Sequence, residues 1–176
     1  DNRAIKPLRC MKMSTGKVEM ICGGTCSGKT ALALGRALQA AARKKNVIII
    51  EFLKGSQKFD NTEILERLEP EIKIFRFEKS DCYFEHLSEE EKREERVNIR
   101  NGLNYAKKVL TTGECDLLVL DEVLGTLDQG IIEREELKAI LECRDEAGVI
   151  LTGQVLPEHP EELADRVEHV NVSVFG

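Results

Sequence analysis

Apolar residues in this chain gather in short dense runs separated by polar, helix-patterned stretches. Val18-Glu19-Met20-Ile21-Cys22, Val47-Ile48-Ile49-Ile50, Leu117-Leu118-Val119-Leu120 and Gly148-Val149-Ile150-Leu151-Thr152-Gly153 are too apolar to present a wet face, which predicts buried strands. Ile72-Lys73-Ile74-Phe75-Arg76-Phe77 alternates and reads as a further strand, and residues 167–174 as a last one. Helical spacing fills the intervals. Residues 30–43 place Ala31, Leu34, Leu38 and Ala41 on one face, and residues 62–68 form a short helix stopped by Pro70. Ser88-Glu89-Glu90-Glu91 is a capping-box signature that opens a long helix with Ile99, Leu103, Ala106 and Leu110 at core spacing. Its early charge run, residues 89–96, is read as a solvated face. Further helices are expected over 134–146 and 161–166. This alternation predicts an α/β fold with three layers, a mostly parallel sheet covered by helices on both faces. Residues 1–16 lack periodicity and are expected to form an N-terminal arm. Residues 17–176 form one domain, since 176 residues are too few for two comfortable ones.

Within this frame, Gly23-Gly24-Thr25-Cys26-Ser27-Gly28-Lys29-Thr30 fits the phosphate-loop spacing G-x-x-x-x-G-K-[ST], and it lies where that loop must lie, after a strand and before a helix. Glycines let successive backbone N–H groups turn toward phosphate oxygens. Lys29 supplies a mobile positive charge, Thr30 a hydroxyl for Mg²⁺, and the following helix its positive end. Gly24, Thr25, Cys26, Ser27, Gly28, Lys29 and Thr30 are therefore the expected nucleotide-binding residues. Asp121 and Glu122 end the apolar strand that begins at Leu117, at the carboxyl edge where parallel sheets bind ligands. Asp121 is expected to share a metal with Thr30, while Glu122 positions a water, polarises a neighbour or bridges to a loop.

Composition narrows the partners. A net charge of −6 argues against a large nucleic-acid surface, and no run approaches the roughly 18 apolar residues of a membrane span. Asp1-Asn2-Arg3-Ala4-Ile5-Lys6 has no apolar signal core, so a cytoplasmic location is expected. The cysteines at 10, 22, 26, 82, 115 and 143 include no C-x-x-C pair, and with the three histidines they give no zinc spacing. Cys26 is read chiefly as an inert loop residue, with a redox-sensitive thiol as the alternative.

Five blocks, in order, resemble the ATP:corrinoid adenosyltransferases of the CobA/BtuR class. They are the loop from Gly24 to Thr30, Ile50-Glu51-Phe52-Leu53-Lys54-Gly55, Val119-Leu120-Asp121-Glu122, Leu151-Thr152-Gly153, and Glu162-Leu163-Ala164-Asp165-Arg166-Val167. The resemblance covers roughly residues 17–170 and implies a RecA-like P-loop fold, often dimeric, so that a homodimer joins ATP and a corrinoid among the expected partners. It implies ATP with Mg²⁺ or Mn²⁺, and transfer of the 5′-deoxyadenosyl group of ATP to a reduced cobalt(I) corrinoid with release of triphosphate. Under that reading Lys29, Asp121 and Glu122 are catalytic, and Tyr83 and Phe84 stand where the family's corrinoid-holding aromatics lie. Gln154 falls on a nucleotide-binding position where the family has Arg after Thr-Gly. Thr25, Cys26 and Ser27 stand where the family loop has Asn, Gly and Lys, and His169 replaces a family acid. Two alternatives follow: an ATP-binding module of the same family without transfer, or another small P-loop enzyme such as a deoxynucleoside kinase of the thymidine kinase type.

Overall fold

The computed structural model describes residues 16–55 and 62–176. The arm expected over residues 1–16 lies outside them except for Gly16, as does Cys10. Six strands form one sheet: β1 (Val18–Gly23), β2 (Val47–Glu51), β3 (Ile72–Arg76), β4 (Leu117–Asp121), β5 (Gly148–Gly153) and β6 (Arg166–Val170). Their order is β3-β2-β4-β5-β1-β6, and every pairing is parallel. The helices are α1 (Lys29–Ala42), α2 (Thr62–Glu66), α3 (Glu89–Thr112), α4 (Val123–Asp128) and α5 (Arg134–Glu142).

Strand parity divides the core in two. Met20, Ile48, Ile50, Leu118, Leu120, Val149 and Leu151 face a cluster completed by α3, α4 and α5. Ile21, Val47, Ile49, Val119 and Ile150 face the other way, against Ala33 and Ala37 of α1. Because both faces of the central strands are dry, alternation disappears from their sequences and only the apolar run remains. The three-layer α/β fold of a P-loop type follows from that double coverage.

The expected core face of α1 is observed in part: Leu34 and Ala41 pack, partly buried, against the core beneath this helix. Lys29, Ala33 and Ala37 are buried, whereas Ala31 and Leu38 are exposed, Leu38 at 44%. Lys29 opens this helix and must point back at the strand ends, so positions four and eight residues on share its face. The loop, rather than the larger apolar residues, sets the rotation of α1, and alanines let it lie close on the sheet. Among the 99–110 positions of α3, Ile99, Leu103, Ala106 and Leu110 are all buried, and the Ser88–Glu91 capping box forms as the sequence predicts. The helix expected over 134–146 stops at Glu142. That expected over 161–166 shrinks to a 3-10 turn, Pro160–Glu162. The cause of the second is Asp165. Its N–H donates to Val18 O at 2.8 Å and its carboxylate accepts from Val18 N at 2.9 Å, which pulls the chain into sheet register before a helix can form.

Sheet and helix approach closely at Gly153, where a Cβ would stand 2.4 Å from Cβ of Leu124 on α4. Neither β5 nor α4 can yield without disturbing the strand end. Gly153→Ala is therefore expected to destabilise the fold by about 1–3 kcal/mol, measured by urea denaturation. An unchanged midpoint would show that α4 is not seated this closely.

Candidate active site

The parallel register brings the carboxyl ends of β1, β2, β4 and β5 to one edge, with Glu51 opposite Asp121 and Cys22 opposite Gly153. The phosphate loop leaves β1 here. Cys26 (φ 57°) and Gly28 (φ 89°) take left-handed conformations, and Ser27 N donates to Gly24 O at 3.2 Å. This alternation curls the backbone into the concavity that binds anions. Cys26 adopts, at a cost of about 1–2 kcal/mol, a conformation natural to the glycine of the family loop. Gly23 has no such latitude. A Cβ there would meet Ser27 Oγ at 2.4 Å and Val170 O at 2.9 Å, and Ser27 Oγ itself is buried without a hydrogen-bond partner among the described residues.

Four charged side chains converge behind the loop. Lys29 pairs with Glu122 at 2.8 Å, and its ammonium lies 3.5 Å from Gly24 O. Asp121, 2% exposed, accepts from Thr152 Oγ1 at 2.6 Å and from Thr30 Oγ1 at 3.2 Å, and forms an ion pair with Lys54. Lys54 Nζ also donates to Thr30 Oγ1 at 3.4 Å. Thr152 accepts in turn from Glu122 N at 2.8 Å, which steadies the left-handed turn at Glu122 (φ 61°). Thr30 and Asp121 thus come together as the sequence predicts, and Lys29 and Glu122 meet as direct partners. A carboxylate and a hydroxyl oxygen are hard donors that suit Mg²⁺ or Mn²⁺, with phosphate and water oxygens completing the shell. Among the described residues no group of three or more His, Cys, Asp or Glu forms a cage that could hold a metal unaided.

Two contributors escape sequence reasoning as site residues although both lie in quoted blocks: Lys54 and Thr152. Lys54 follows Leu53, whose φ of 53° and the 51° of Gly55 make a sharp turn after β2. Glu78 fixes that turn by accepting from Leu53 N at 2.7 Å, and Arg76 by donating to Gly55 O at 2.8 Å. The only early hint was a lysine placed at the end of a buried strand, where a solvated cation is costly to hide.

A cleft of about 380 Å³ opens in front of this edge, lined by Thr25, Cys26, Lys29, Glu122, Gln154 and Tyr83 among others. Gln154 is exposed there, beside the loop. Of the expected aromatic pair, Tyr83 lines the cleft. Phe84 packs on the core, with the Arg96 guanidinium 5.5 Å from its ring centre. His169 is exposed on β6, the outermost strand beside β1.

Fold and loop together define a three-layer α/β protein of P-loop type. The chain belongs to the family described as ATP:corrinoid adenosyltransferase BtuR/CobO/CobP, whose model matches residues 15–173. It is similar to the corrinoid adenosyltransferase of Escherichia coli (strain K12), 26% identical over 148 residues that cover 84% of this chain and 72% of that protein. The corrinoid adenosyltransferase of Escherichia coli O6:H1 (strain CFT073) matches to the same extent, 26% over 148 residues. Among the described residues no helix is long and apolar enough to cross a membrane.

Burial pushes the Glu78 carboxyl up to about 7, against the pull of the Leu53 N–H that favours its charge. An unfolded glutamate titrates near 4.5, so between these values the folded chain holds the proton more tightly. Stability contributed by that proton is complete below the unfolded value and lost as pH rises to about 7. Glu78→Gln keeps an acceptor for Leu53 N and should flatten this fall. At pH 8 the gain is at most about 3 kcal/mol, read from urea denaturation at pH 5 and 8. A variant with the wild-type slope would assign the titration to another group.

Proposed function

We propose that this protein transfers the 5′-deoxyadenosyl group of ATP to a reduced cobalt(I) corrinoid and releases triphosphate. The observation that carries the reading is the convergence of Lys29, Thr30 and Asp121 behind a left-handed phosphate loop in a chain of this family. In the reaction the cobalt(I) lone pair forms a bond to the 5′ carbon. The C5′–O5′ bond breaks, and its electron pair leaves on the triphosphate. No protein nucleophile or general base is needed, so the residues' task is electrostatic. Negative charge grows on the departing oxygen, and the loop N–H groups and the Lys29 ammonium stand ready to stabilise it. Bound at Thr30 and Asp121, Mg²⁺ or Mn²⁺ would add Lewis-acid neutralisation of the phosphates. Glu122 keeps Lys29 extended toward the loop until the phosphates take over. Gln154, Thr25 and Cys26 would line the nucleotide's path, and Tyr83 the outer part of the cleft where a corrinoid is presented. ATP and corrinoid are the partners in this reading. A homodimer, cytoplasmic location and an N-terminal arm before residue 17 remain parts of the same proposal.

The competing reading, an ATP-binding relative without transfer, draws on the loop itself: Ser27 contributes a neutral buried hydroxyl where the family has a lysine. Product identity separates the readings. Incubated with ATP, metal ion and chemically reduced cobalamin, the protein is expected to give intact tripolyphosphate in phosphorus NMR and the absorbance change of a cobalt–carbon bond. ADP or orthophosphate as first product would make it a kinase or ATPase, and nucleotide binding with no product would leave the binding module.

Charge thinning at the cleft supplies a second check. Gln154 cannot offer the forked, charged contact of an arginine, so Gln154→Arg should tighten triphosphate binding modestly, by a few-fold, with the gain shrinking as salt rises. Calorimetry at two ionic strengths measures it. An unchanged or weaker affinity in a folded variant would mean that position 154 does not meet the phosphates.

A further inference from the structure

Lys54 is a charged contributor to the site that the phosphate-loop pattern leaves without a role. Its side chain is 7% exposed, yet its partners are the two groups expected to hold metal: it pairs with Asp121 Oδ2 and lies 3.4 Å from Thr30 Oγ1. A dication bound to those same oxygens would sit about 2.1 Å from each, inside the volume the ammonium holds. One must leave for the other to enter. The backbone is poorly placed to move, because Glu78 and Arg76 pin Leu53 and Gly55 on either side of Lys54. Only the side chain is free to swing, and Leu53, its neighbour, already lines the cleft.

We propose that Lys54 is the resident counter-ion of the metal position: it neutralises Asp121 while the site is empty of nucleotide, yields to the metal when metal and nucleotide arrive together, and passes to the phosphates. This inference rests on the nucleotide-binding reading above. It explains why Lys29 with Glu122 and Lys54 with Asp121 stand behind the loop as ion pairs, with Glu51, which lies beside Asp121 and Lys54, shifted by burial toward its neutral form. Metal entering alone compensates Asp121 but leaves the displaced, buried Lys54 ammonium without a phosphate to receive it, which is costly, so it gains little by entering. Metal and triphosphate together let both lysines exchange one anionic partner for another. The hand-over also gives the triphosphate a second ammonium in a loop where Ser27 replaces the family's lysine.

The test uses Mg²⁺ alone as probe and thermal stability as readout. Millimolar Mg²⁺ should leave the melting temperature of the wild-type protein unmoved and raise that of Lys54→Met, whose Asp121 is then open to metal. Equal shifts in both proteins, or none in either, would overturn the proposal. By calorimetry, Lys54→Met should bind Mg·ATP about tenfold more weakly, and an undiminished affinity would overturn the hand-over to phosphate. If Lys54→Met does not fold, NMR of the lysine ammonium groups of the wild-type protein decides. The Lys54 signal should stay put with Mg²⁺ and move with Mg·ATP; a signal indifferent to Mg·ATP overturns the proposal. Wild-type protein that binds no Mg·ATP would instead remove the nucleotide-binding reading itself, and so the two failures look different.

Discussion

A carboxylate at the end of a buried parallel strand has almost no water, and much of the site can be derived from how Asp121 is compensated. Its position is not negotiable: β4 is flanked by β2 and β5, and register sets Asp121 beside Glu51 at the carboxyl edge. Leaving such a charge unpaired would cost several kcal/mol. The chain answers with one hydroxyl from β5, one from α1 and one ammonium from the turn after β2. Each donor comes from a different segment, so the pairing of Asp121 also ties the phosphate loop, through Thr30, to β4, β5 and the turn after β2. The second acid, Glu122, repeats the logic one residue on by holding Lys29.

Compensation of this kind is also readiness for an anion. Lys29 and Lys54 balance Glu122 and Asp121, leaving the four side chains neutral in sum. A polyphosphate entering with a metal ion brings both signs of charge at once and can take over every pairing without leaving one open. Metal-free nucleotide brings only negative charge and would find the lysines engaged. In the proposed reading, the pairing pattern would favour the metal complex of a nucleotide over the nucleotide alone, before any contact to base or sugar.

Much of this was legible in the chain because parallel sheets write themselves as apolar runs, and because the loop spacing is a geometric requirement rather than a preference. Four of the five blocks that resemble the family lie at or beside this edge of the sheet, and the fifth, residues 162–167, lies at the opposite edge, where Asp165 meets Val18 at the start of β1. Illegible parts have a common physical origin in tertiary override. The face of α1 is legible only in part, since periodicity weighs Ala31 and Leu38 as core beside Leu34 and Ala41, whereas the direction of Lys29 sets the helix phase so that Ala33 and Ala37 are the fully buried positions. The short helix before β6 failed because Asp165 finds sheet partners in Val18, a contact 147 residues away that no local propensity records. Lys54 and Thr152 carry no local signal beyond their neighbours. Their importance appears only when β2, β4 and β5 are laid side by side. Tyr83 and Phe84 are adjacent in sequence yet serve different surfaces, the cleft and the core.

Backbone strain follows the same map. The loop after β1 holds left-handed residues at Cys26 and Gly28, the turn after β2 at Leu53 and Gly55, and the turn after β4 at Glu122. Three of these five carry side chains that make the conformation unfavourable by about 1–2 kcal/mol each. Such conformations persist only where their surroundings over-determine them. Here the restraints can be named: Ser27 N to Gly24 O for the first turn, Glu78 and Arg76 for the second, Thr152 for the third. Rigid strands supply the anchor points, and the strained turns aim Lys29, Lys54 and Asp121 at one volume. With the backbone held at all three turns, accommodating a ligand in the proposed reading falls to side chains exchanging ionic partners.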